Sequence, residues 1–339
     1  MMWTEEKLND LLTTPSPGLV ADIQKLDGDI LVLGAGGKMG PTLCVLAKNA
    51  AKAAKVQKRV IAVSRFGDPL VVKLLQEHGV ELVQADLLEP GVLDTLPDAE
   101  NIIYMAGKKF GTAGQEAMTW AMNAWLPSQV AQRYKASRIV VFSSGNLYPK
   151  TAVGSGGCPE TTPVEPVGEY AMSCLGRERM FEYAAHAFGT PVAVYRLNYA
   201  VDLRYGVLYD MAANIMSDTP IRVDTPSFNC IWQGDANEAA IRLLGHASPT
   251  VFRLNVTGPE TAGVRETAAK LGALLGKTPV FTGVEQPNAY LNDAGQMHAL
   301  FGYPTVPLQT LIEWQAQWIL SGGRALGKPT HFEERKGSY

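Results

Sequence analysis

Residues 29–40 read Asp-Ile-Leu-Val-Leu-Gly-Ala-Gly-Gly-Lys-Met-Gly, so a short apolar run leads into a glycine-rich turn. Gly34, Gly37 and Gly40 have the spacing GxxGxxG, and Lys38 adds a positive charge between them. Such a turn uses one glycine for the tight bend, one for the approach of a pyrophosphate and one for close packing of the next helix. Free N–H groups at the start of that helix then face the phosphates. Because a strand and a helix flank the turn, the pattern favours a dinucleotide site over a plain strand–helix connection.

Apolar runs alternate with helical patterns along the first 200 residues. Strands are predicted over 29–33, 59–64, 81–84, 101–106, 138–143 and 192–196, and helices over 41–56, 70–79, 115–134 and 170–188. Buried strands joined by helices are typical of an α/β fold with a Rossmann-type doubly wound parallel sheet. The pattern then weakens into short strands and helices, which indicates a smaller C-terminal α/β substrate lobe.

The length of 339 residues suggests roughly two domains, at ~150 residues each. We expect an N-terminal helical extension over 1–28 and an NAD(P)-binding Rossmann domain over 29–200. Residues 201–339 are expected to form mainly the substrate-binding lobe, with segments that return to the Rossmann domain.

The composition excludes several classes of protein. Hydrophobic residues make up 46% and charged residues 19%, which is ordinary globular usage and not that of a disordered chain. A formal net charge of −3 gives no overall electrostatic case for a nucleic-acid partner or an anionic membrane. No stretch approaches the ~18 apolar residues of a membrane span, and the first residues lack a signal-peptide pattern. The four scattered cysteines and five histidines have no disulfide or metal-ligand spacing, so we expect a cytoplasmic protein without a metal site.

The end of the second predicted strand bears on the choice of cofactor. It reads Ala62-Val63-Ser64-Arg65 and carries no acidic residue. An acidic residue there binds the free 2′-hydroxyl of NAD, whereas an arginine accommodates the 2′-phosphate of NADP. Ser64 and Arg65 therefore favour NADP(H), with NAD as the alternative if Arg65 is only a surface charge.

Further motifs follow in order along the chain: Asp86-Leu87, Met105-Ala106-Gly107, Asn123, Phe142-Ser143-Ser144-Gly145-Asn146-Leu147-Tyr148, Tyr170 and Arg196-Leu197-Asn198-Tyr199. Together with the glycine turn, they resemble the extended short-chain dehydrogenases/reductases. These are the NAD(P)-dependent sugar epimerases and dehydratases. The resemblance spans roughly residues 29–320, and the ordered set is more specific than any one motif.

The resemblance implies a role for each matching residue. Ser144 and Tyr170 are implied to be catalytic; the other interpretation is a buried serine and a tyrosine at the edge of the core. The residues implied to bind the cofactor are Gly34, Gly37, Lys38, Met39, Gly40, Ser64, Arg65, Asp86, Leu87, Met105, Ala106, Gly107, Asn123, Tyr170 and Asn198. The predicted helices 115–134 and 170–188 match those that form a four-helix dimer interface in the family, which implies a homodimer.

The segment Tyr170-Ala171-Met172-Ser173-Cys174 departs from the family, which has Tyr-x-x-x-Lys. In the family this lysine holds the nicotinamide ribose and lowers the pKa of the tyrosine, and a cysteine does not supply its charge. Arg177 lies one turn further along the predicted helix. Loops can also bring a cation, and the candidates are Lys108, Lys109 and Lys150. Three interpretations of Cys174 remain open: it is a small core residue, it marks the loss of an activity, or it is a nucleophile.

A second departure concerns the substrate. Residues 228–235 read Phe-Asn-Cys-Ile-Trp-Gln-Gly-Asp and resemble the family's Arg-Asp-Phe-Val-His-Val-Asp-Asp. The arginine that often binds the diphosphate of a sugar nucleotide is replaced by Phe228, which forms no bidentate bonds to phosphate. This favours a free sugar, a sugar acid or a similar polyol as the substrate.

Two functions remain open at this point. The first is an NADP-dependent oxidoreductase or epimerase/dehydratase-like enzyme, in which Ser144 holds the substrate oxygen and Tyr170 exchanges its proton. The second is a catalytically impaired dinucleotide-binding regulator or redox sensor, because an intact glycine turn stands beside an altered Tyr-x-x-x-Lys. RNA binding is disfavoured by the net charge of −3.

Overall fold

The computed structural model describes residues 3–109, 111, 114–328 and 330–337. A parallel sheet of seven strands forms its centre, in the order β7-β6-β5-β4-β1-β2-β3. The strands are β1 (Ile30–Leu33), β2 (Val60–Ser64), β3 (Glu81–Gln84), β4 (Asn101–Tyr104), β5 (Arg138–Ser144), β6 (Val192–Leu197) and β7 (Phe252–Val256). The strand order reverses between β1 and β4, which is where doubly wound sheets bind their ligands. The predicted Rossmann-type α/β fold is confirmed.

Helices cover both faces of this sheet. In the first half of the chain they are α1 (Glu5–Thr13), α2 (Pro17–Lys25), α3 (Gly40–Ala53), α4 (Pro69–Glu77), α5 (Val92–Thr95), α6 (Glu116–Trp120), α7 (Leu126–Arg133) and α8 (Gly168–Phe188). In the second half they are α9 (Val207–Met216), α10 (Gln233–Arg242), α11 (Val264–Leu275), α12 (Gly295–Phe301) and α13 (Leu308–Leu320). Because helices bury β1 and β4 from both sides, all four residues of each strand are buried.

The long helix predicted over 115–134 is interrupted. A π-helical turn, Ala121–Trp125, separates α6 from α7. Asn123 lies buried in this turn, and its amide both accepts from the Lys108 N–H and donates to the Lys108 carbonyl, each at 2.8 Å. The turn therefore ties the helix to the loop that follows β4. The sequence predicts a regular helix here; the structure keeps a helix over 116–133 but widens one turn around Asn123.

The second half of the chain packs around its own apolar cluster. Trp3 and Leu8 of the N-terminal segment enter this cluster beside residues of α9, α11 and α13, so the two ends of the chain meet there. Short strand pairs complete the lobe: Ser227–Phe228 with Ala262–Gly263, Ile231–Trp232 with Ala200–Val201, Phe281–Thr282 with Ile221–Arg222, and Asn288–Ala289 with Thr151–Ala152. Within the described parts of the chain, no helix has the length and apolarity needed to cross a membrane.

Candidate functional site

The glycine turn joins β1 to α3 through three close backbone approaches. Gly34 has φ +90°, and a Cβ there would lie 2.5 Å from the backbone nitrogen of Ala106. A Cβ on Gly40 would lie 2.3 Å from the carbonyl oxygen of Ala35. A Cβ on Gly37 would meet only the Gly34 oxygen, at 3.6 Å. The fold itself thus requires Gly34 and Gly40, whereas Gly37 leaves its backbone open to a group from outside the chain.

A cleft of about 580 Å³ opens beside this turn at the carboxyl ends of β1, β2 and β4. Many of the predicted cofactor-binding residues line it: Gly34, Gly37, Ser64, Arg65, Asp86, Leu87, Met105, Ala106 and Gly107. The open backbone at Gly37 and the polar rim fit the pyrophosphate and ribose of a nicotinamide dinucleotide. The cleft therefore brings together the nine residues that the sequence scattered over more than seventy positions.

Ser64 and Arg65 stand where the adenosine ribose is expected. The Ser64 hydroxyl packs against Gly36, where an added Cβ would lie 2.4 Å from it. Arg65 keeps 79% of its side chain exposed, and its guanidinium lies 3.7 Å from the Asp86 carboxylate. At this distance and exposure the ion pair contributes little to stability. The guanidinium is therefore available to a phosphate ligand at little energetic cost.

The candidate catalytic pair lies where β5 ends and α8 begins. The Tyr170 hydroxyl shares hydrogen bonds with the side chains of Ser144 and Cys174. Burial raises the pKa of Tyr170, and the neighbouring thiol raises it further, whereas Arg177 and the Ser144 hydroxyl act in the opposite direction. Ser144 also accepts a hydrogen bond from the Asn146 N–H at 3.2 Å. The structure thus brings a serine and a tyrosine hydroxyl into direct contact, as a proton-transfer pair requires.

Cys174 is fully buried beside Tyr170, and burial raises the pKa of its thiol. An uncharged, inaccessible thiol is a poor nucleophile. Of the three interpretations of Cys174, the geometry favours a small buried residue that packs against the tyrosine.

Arg177, one turn further along α8, is held from three sides. Its Nη1 donates to the Phe142 carbonyl and its Nη2 to the Asn123 amide oxygen, each at 2.7 Å. A Cβ on Gly107 would lie 2.4 Å from Nη2, so only glycine leaves room for the guanidinium there. Arg177 therefore links β5, the π-helical turn and the loop after β4, and it brings a fixed positive charge close to Tyr170.

A buried ion pair lies directly behind the catalytic pair. Glu178 is 0% and Arg196 4% exposed, and their side chains meet at 2.7 Å. Glu178 also accepts from the Ser143 hydroxyl at 2.6 Å, and Arg196 donates to the Tyr148 hydroxyl at 2.7 Å. Every member has a partner, which is the condition under which a buried charge pair is tolerated. The pair fixes α8, and hence Tyr170, against β5 and β6.

Asn198 lies beside the loop after Ser144, where a Cβ on Gly145 would lie 3.1 Å from its own Cβ. Its amide nitrogen donates to the Asn229 amide oxygen at 2.6 Å, while its own amide oxygen has no partner among the described residues. Both amide atoms of Asn292 are likewise unpaired there. A Cβ on Gly145 would lie 2.7 Å from the Asn292 amide. Unpaired buried amides next to Ser144 fit a polar ligand or an ordered water at this position.

Six of the residues predicted to contact the cofactor do not line this cleft: Lys38, Met39, Gly40, Asn123, Tyr170 and Asn198. The side chains of Met39 and Lys38 take other directions. Met39 packs in the hydrophobic core beneath the turn. Lys38 faces the second half of the chain: its Nζ donates to the Lys328 carbonyl at 3.0 Å and lies 4.6 Å from the centre of the Tyr205 ring. Burial lowers the pKa of Lys38 to about 8. The sequence placed both side chains in one turn, but their direction depends on the packing around it.

Residues 324–328 and 330–337, which we name the C-terminal tail, run along the substrate side of the site. The tail is anchored by Thr330, whose N–H and hydroxyl both donate to Asp210. Further along, Arg335 donates to the Asn288 carbonyl at 2.7 Å. Its last described residue, Gly337, touches Gly168 at the start of α8. The tail therefore spans from the glycine turn to the helix that carries Tyr170.

The middle of the tail is anchored by Phe332, whose side chain is buried. Its ring packs 6.4 Å from that of Phe228, and both side chains belong to the apolar cluster of the second lobe. Phe228 is the residue at the position where the resemblance implies a phosphate-binding arginine. An aromatic contact with the chain's own tail thus takes the place of a charged side chain there.

Sequence reasoning did not single out the tail, and it left open which cation approaches Tyr170. No local pattern marks the tail, because its contacts are with residues far along the chain. The excess of glycine at 322–327 and the scattered cations of 328–336 were the only signals in the sequence.

A sequence model of the NAD dependent epimerase/dehydratase family matches residues 30–201. A search of curated proteins found no match. Among solved structures, the chain is similar to UDP-glucuronic acid 4-epimerase from Bacillus cereus in complex with UDP-glucuronic acid and NAD. Identity is 19%, the alignment covers 86% of this chain and 99% of that one, and the TM-score is 0.71.

Two further solved structures show the same likeness. The dTDP-glucose 4,6-dehydratase from Bacillus anthracis in complex with NAD is 18% identical, with 86% and 96% of the two chains covered and a TM-score of 0.72. The UDP-glucose 4-epimerase from Thermus thermophilus in complex with NAD is 17% identical, with 85% and 97% covered and a TM-score of 0.70. At these identities the likeness shows a shared fold. Together with the sequence match over the sheet from β1 past β6, it establishes that the chain belongs to the NAD dependent epimerase/dehydratase family.

Proposed function

We propose that the protein is an NADP-dependent oxidoreductase or epimerase/dehydratase-like enzyme that acts on a sugar, a sugar acid or a similar polyol. The observation that carries the proposal is the contact between the Ser144 and Tyr170 hydroxyls at the end of β5, next to the dinucleotide-sized cleft. A proton-transfer pair beside a nicotinamide site is what oxidation of a carbinol requires.

Ser144 and Tyr170 divide the proton chemistry between them. Ser144 holds the substrate oxygen, and Tyr170 takes the hydroxyl proton as the carbinol becomes a carbonyl, or returns it in the reverse direction. The bound nicotinamide supplies the hydride acceptor or donor. The Ser144 hydroxyl favours the phenolate of Tyr170 by hydrogen bonding to it, which partly offsets the effect of burial on its pKa.

NADP(H) is the proposed cofactor, although the three solved relatives described above hold NAD. Arg65 supports this choice because its guanidinium is exposed at the rim of the cleft, next to the Ser64 hydroxyl. An arginine and a hydroxyl suit a 2′-phosphate, and no carboxylate ends β2 to bind a free 2′-hydroxyl.

A small substrate without a nucleotide is supported by the C-terminal tail. The solved relatives include one that holds UDP-glucuronic acid, which is a sugar nucleotide. In this chain Phe228 and Phe332 pack together where the resemblance implies the phosphate-binding arginine. Two aromatic rings in contact offer no charge to a diphosphate. The unpaired amides of Asn198 and Asn292 suit the hydroxyl groups of a sugar or polyol.

A homodimer is the proposed assembly. Large apolar side chains remain exposed on the two regions that the resemblance assigns to a dimer interface: Met118, Trp120 and Trp125 on one, and Met172, Tyr183 and Phe188 on the other. Exposed apolar surface of this kind marks protein contacts. We also expect a cytoplasmic protein, since all four cysteines are free thiols.

The experiment that tests the function has two stages. Purified protein is first titrated with NADPH, NADP, NADH and NAD, and then assayed against a panel of sugars, sugar acids and polyols with the cofactor that binds. We expect turnover by the wild-type protein, and a loss of about 10²–10⁴-fold in the kcat of Tyr170→Phe when this variant is saturated with cofactor. Cofactor binding without turnover of any panel member would count against the enzyme.

A second function, a dinucleotide-binding regulator without catalysis, is favoured by one observation. Cys174 leaves Tyr170 without the lysine of the family, and burial raises the pKa of this tyrosine. Substitution of Cys174→Lys separates the two functions. A large gain in activity indicates a decayed enzyme, whereas loss of an existing activity indicates a site adapted to cysteine.

A further inference from the structure

The charge missing at position 174 must come from elsewhere if Tyr170 is to act as a base. Cys174 is buried and its pKa is raised, so the thiol carries no charge near neutral pH. Removing a proton from a half-buried tyrosine creates a negative charge that needs a nearby cation. Among the described residues, Cys174 and Arg177 on α8 act on the pKa of Tyr170, and Lys109 after β4 lies over its ring.

Arg177 also lies near Tyr170, but its guanidinium is fixed in place by its own hydrogen bonds. Its Nη1 and Nη2 already bind the Phe142 carbonyl and the Asn123 amide oxygen, and Gly107 closes over it. Its Nε is buried without a partner among the described residues. It therefore gives a constant background charge and holds α8 in place. We regard Arg177 as a positioning residue and not as the replacement of the lysine.

Two of the three loop lysines point away from Tyr170. The Lys108 ammonium donates to the Gln115 side chain, at the outer edge of the loop. The Lys150 ammonium donates to the Tyr290 hydroxyl and, at 3.0 Å, to the carbonyl of Arg335 in the C-terminal tail. Both lysines are thus engaged at other places on the rim of the site.

Lys109 is the loop lysine that reaches the catalytic tyrosine. Its Nζ lies 5.6 Å from the centre of the Tyr170 ring, on the ring face. Its charge also acts on the Cys174 thiol, whose deprotonation it favours. Lys109 directly follows the Met105-Gly107 segment and Lys108, which line the cofactor cleft. It therefore approaches Tyr170 from the loop after β4 and not from α8.

We propose that Lys109 replaces the lysine of the Tyr-x-x-x-Lys segment, as the cation that stabilises the Tyr170 phenolate and holds the nicotinamide half of the cofactor. A cation over an aromatic face is attracted more strongly once the ring carries a negative charge. The ammonium also offers donors that a ribose hydroxyl accepts. This inference rests on the proposed function, since it presumes a bound nicotinamide and a proton-transferring tyrosine.

The test compares Lys109→Met with Lys108→Met, which removes the same charge one residue away. The first readout is the affinity for NADPH, which is measured from the change in NADPH fluorescence on binding. We expect Lys109→Met to bind about 10–100-fold more weakly than wild type, the usual loss for hydrogen bonds to a charged group, and Lys108→Met to bind as wild type. This readout needs no substrate, so it tests the inference even if the panel yields none.

The second readout is the pH dependence of kcat with the substrate found in the panel. Lys109→Met is expected to move the acidic limb of the profile to higher pH, because the phenolate is harder to form without the cation. Lys109→Arg should retain the wild-type profile, and Cys174→Lys should restore activity to Lys109→Met. A merely structural lysine would change stability without moving the limb.

The outcomes separate the two proposals. If wild type binds no nicotinamide cofactor, the proposed function fails and the inference fails with it. If wild type binds the cofactor and Lys109→Met behaves as Lys108→Met in affinity and pH profile, the inference alone is overturned. Weakened binding in Lys109→Met, with or without a known substrate, supports the placement of Lys109 at the nicotinamide.

Discussion

The two sides of the site are built in different ways. The cofactor side is made of backbone: Gly34, Gly37 and Gly40 shape a turn within seven residues, and neighbouring strand ends complete the cleft. The substrate side is made of side chains from distant segments, with the C-terminal tail anchored on Asp210 and Asn288. A local backbone motif leaves a pattern in the sequence, whereas a surface assembled over long range leaves none. Variants that disturb either side test this contrast.

The largest effect is expected from the buried pair of Glu178 and Arg196, which holds the helix that carries Tyr170. Glu178→Gln leaves Arg196 with an uncompensated buried charge, and should lower the free energy of unfolding by about 3–5 kcal/mol. Glu266→Gln is the matched control, because Glu266 pairs with Lys270 at an exposed site. Its cost should stay below about 1 kcal/mol. Urea unfolding measures both, and equal costs would show that the buried pair does not hold α8.

Two glycines of the cofactor side separate folding from binding. Gly34→Ala forces a Cβ against Ala106 at a positive φ, and should cost about 1–3 kcal/mol of stability or more. Gly37→Ala meets no part of the protein closely, so its melting temperature should match wild type. Its affinity for the cofactor should nevertheless fall at least tenfold, because the methyl group blocks the phosphate approach. If Gly37→Ala binds the cofactor as tightly as wild type, the pyrophosphate does not bind at this turn.

Arg65 tests the choice between the two cofactors. Arg65→Asp removes the cation proposed to face the 2′-phosphate and adds a carboxylate that suits a 2′-hydroxyl. The affinity for NADPH should fall about 10–100-fold while that for NADH stays level or rises. Competitive titration with both cofactors gives the ratio. If the ratio of the NADPH and NADH affinities is unchanged in this variant, Arg65 is only a surface charge.

The smallest effect is a pH dependence that arises from two buried lysines of the cofactor side. Burial lowers the pKa of Lys38 and of Lys109 to about 8. Both ammonium groups are charged below that pH and lose their protons above it, so the affinity for the anionic cofactor should fall several-fold from about pH 7 to pH 9. Binding curves at constant ionic strength measure the slope. In Lys109→Met the slope should flatten, and an unchanged slope would assign it to other groups.

The same two lysines affect the stability of the protein without cofactor. Their pKa is lower in the folded chain than the ordinary value of 10.5, so the unfolded chain binds more protons between about pH 8 and 10.5. Their contribution to the free energy of unfolding therefore rises with pH across this window. Bound cofactor phosphates should weaken this dependence, because they favour the charged form.

The helix predicted over 115–134 illustrates the limit of local reasoning. Its apolar pattern is regular, and Asn123 was singled out only through the family resemblance, which implied a cofactor contact. The observed π-helical turn arises because the Asn123 amide binds the backbone of Lys108 in both directions. Lys38 and Met39 show the same limit, since both lie in the glycine turn but neither side chain lines the cleft beside Gly34.

The parallel α/β sheet, the glycine turn and the order of the family motifs could all be predicted from the amino-acid sequence. These features depend on apolar periodicity and on glycines that the backbone requires locally, so residues close together in the sequence are enough to predict them. Two contacts could be seen only in the folded chain. Lys109 lies over the Tyr170 ring, and Phe228 packs against Phe332 of the C-terminal tail. Such contacts join segments that are far apart in the chain, and their partners are selected by packing and charge after the sheet has formed.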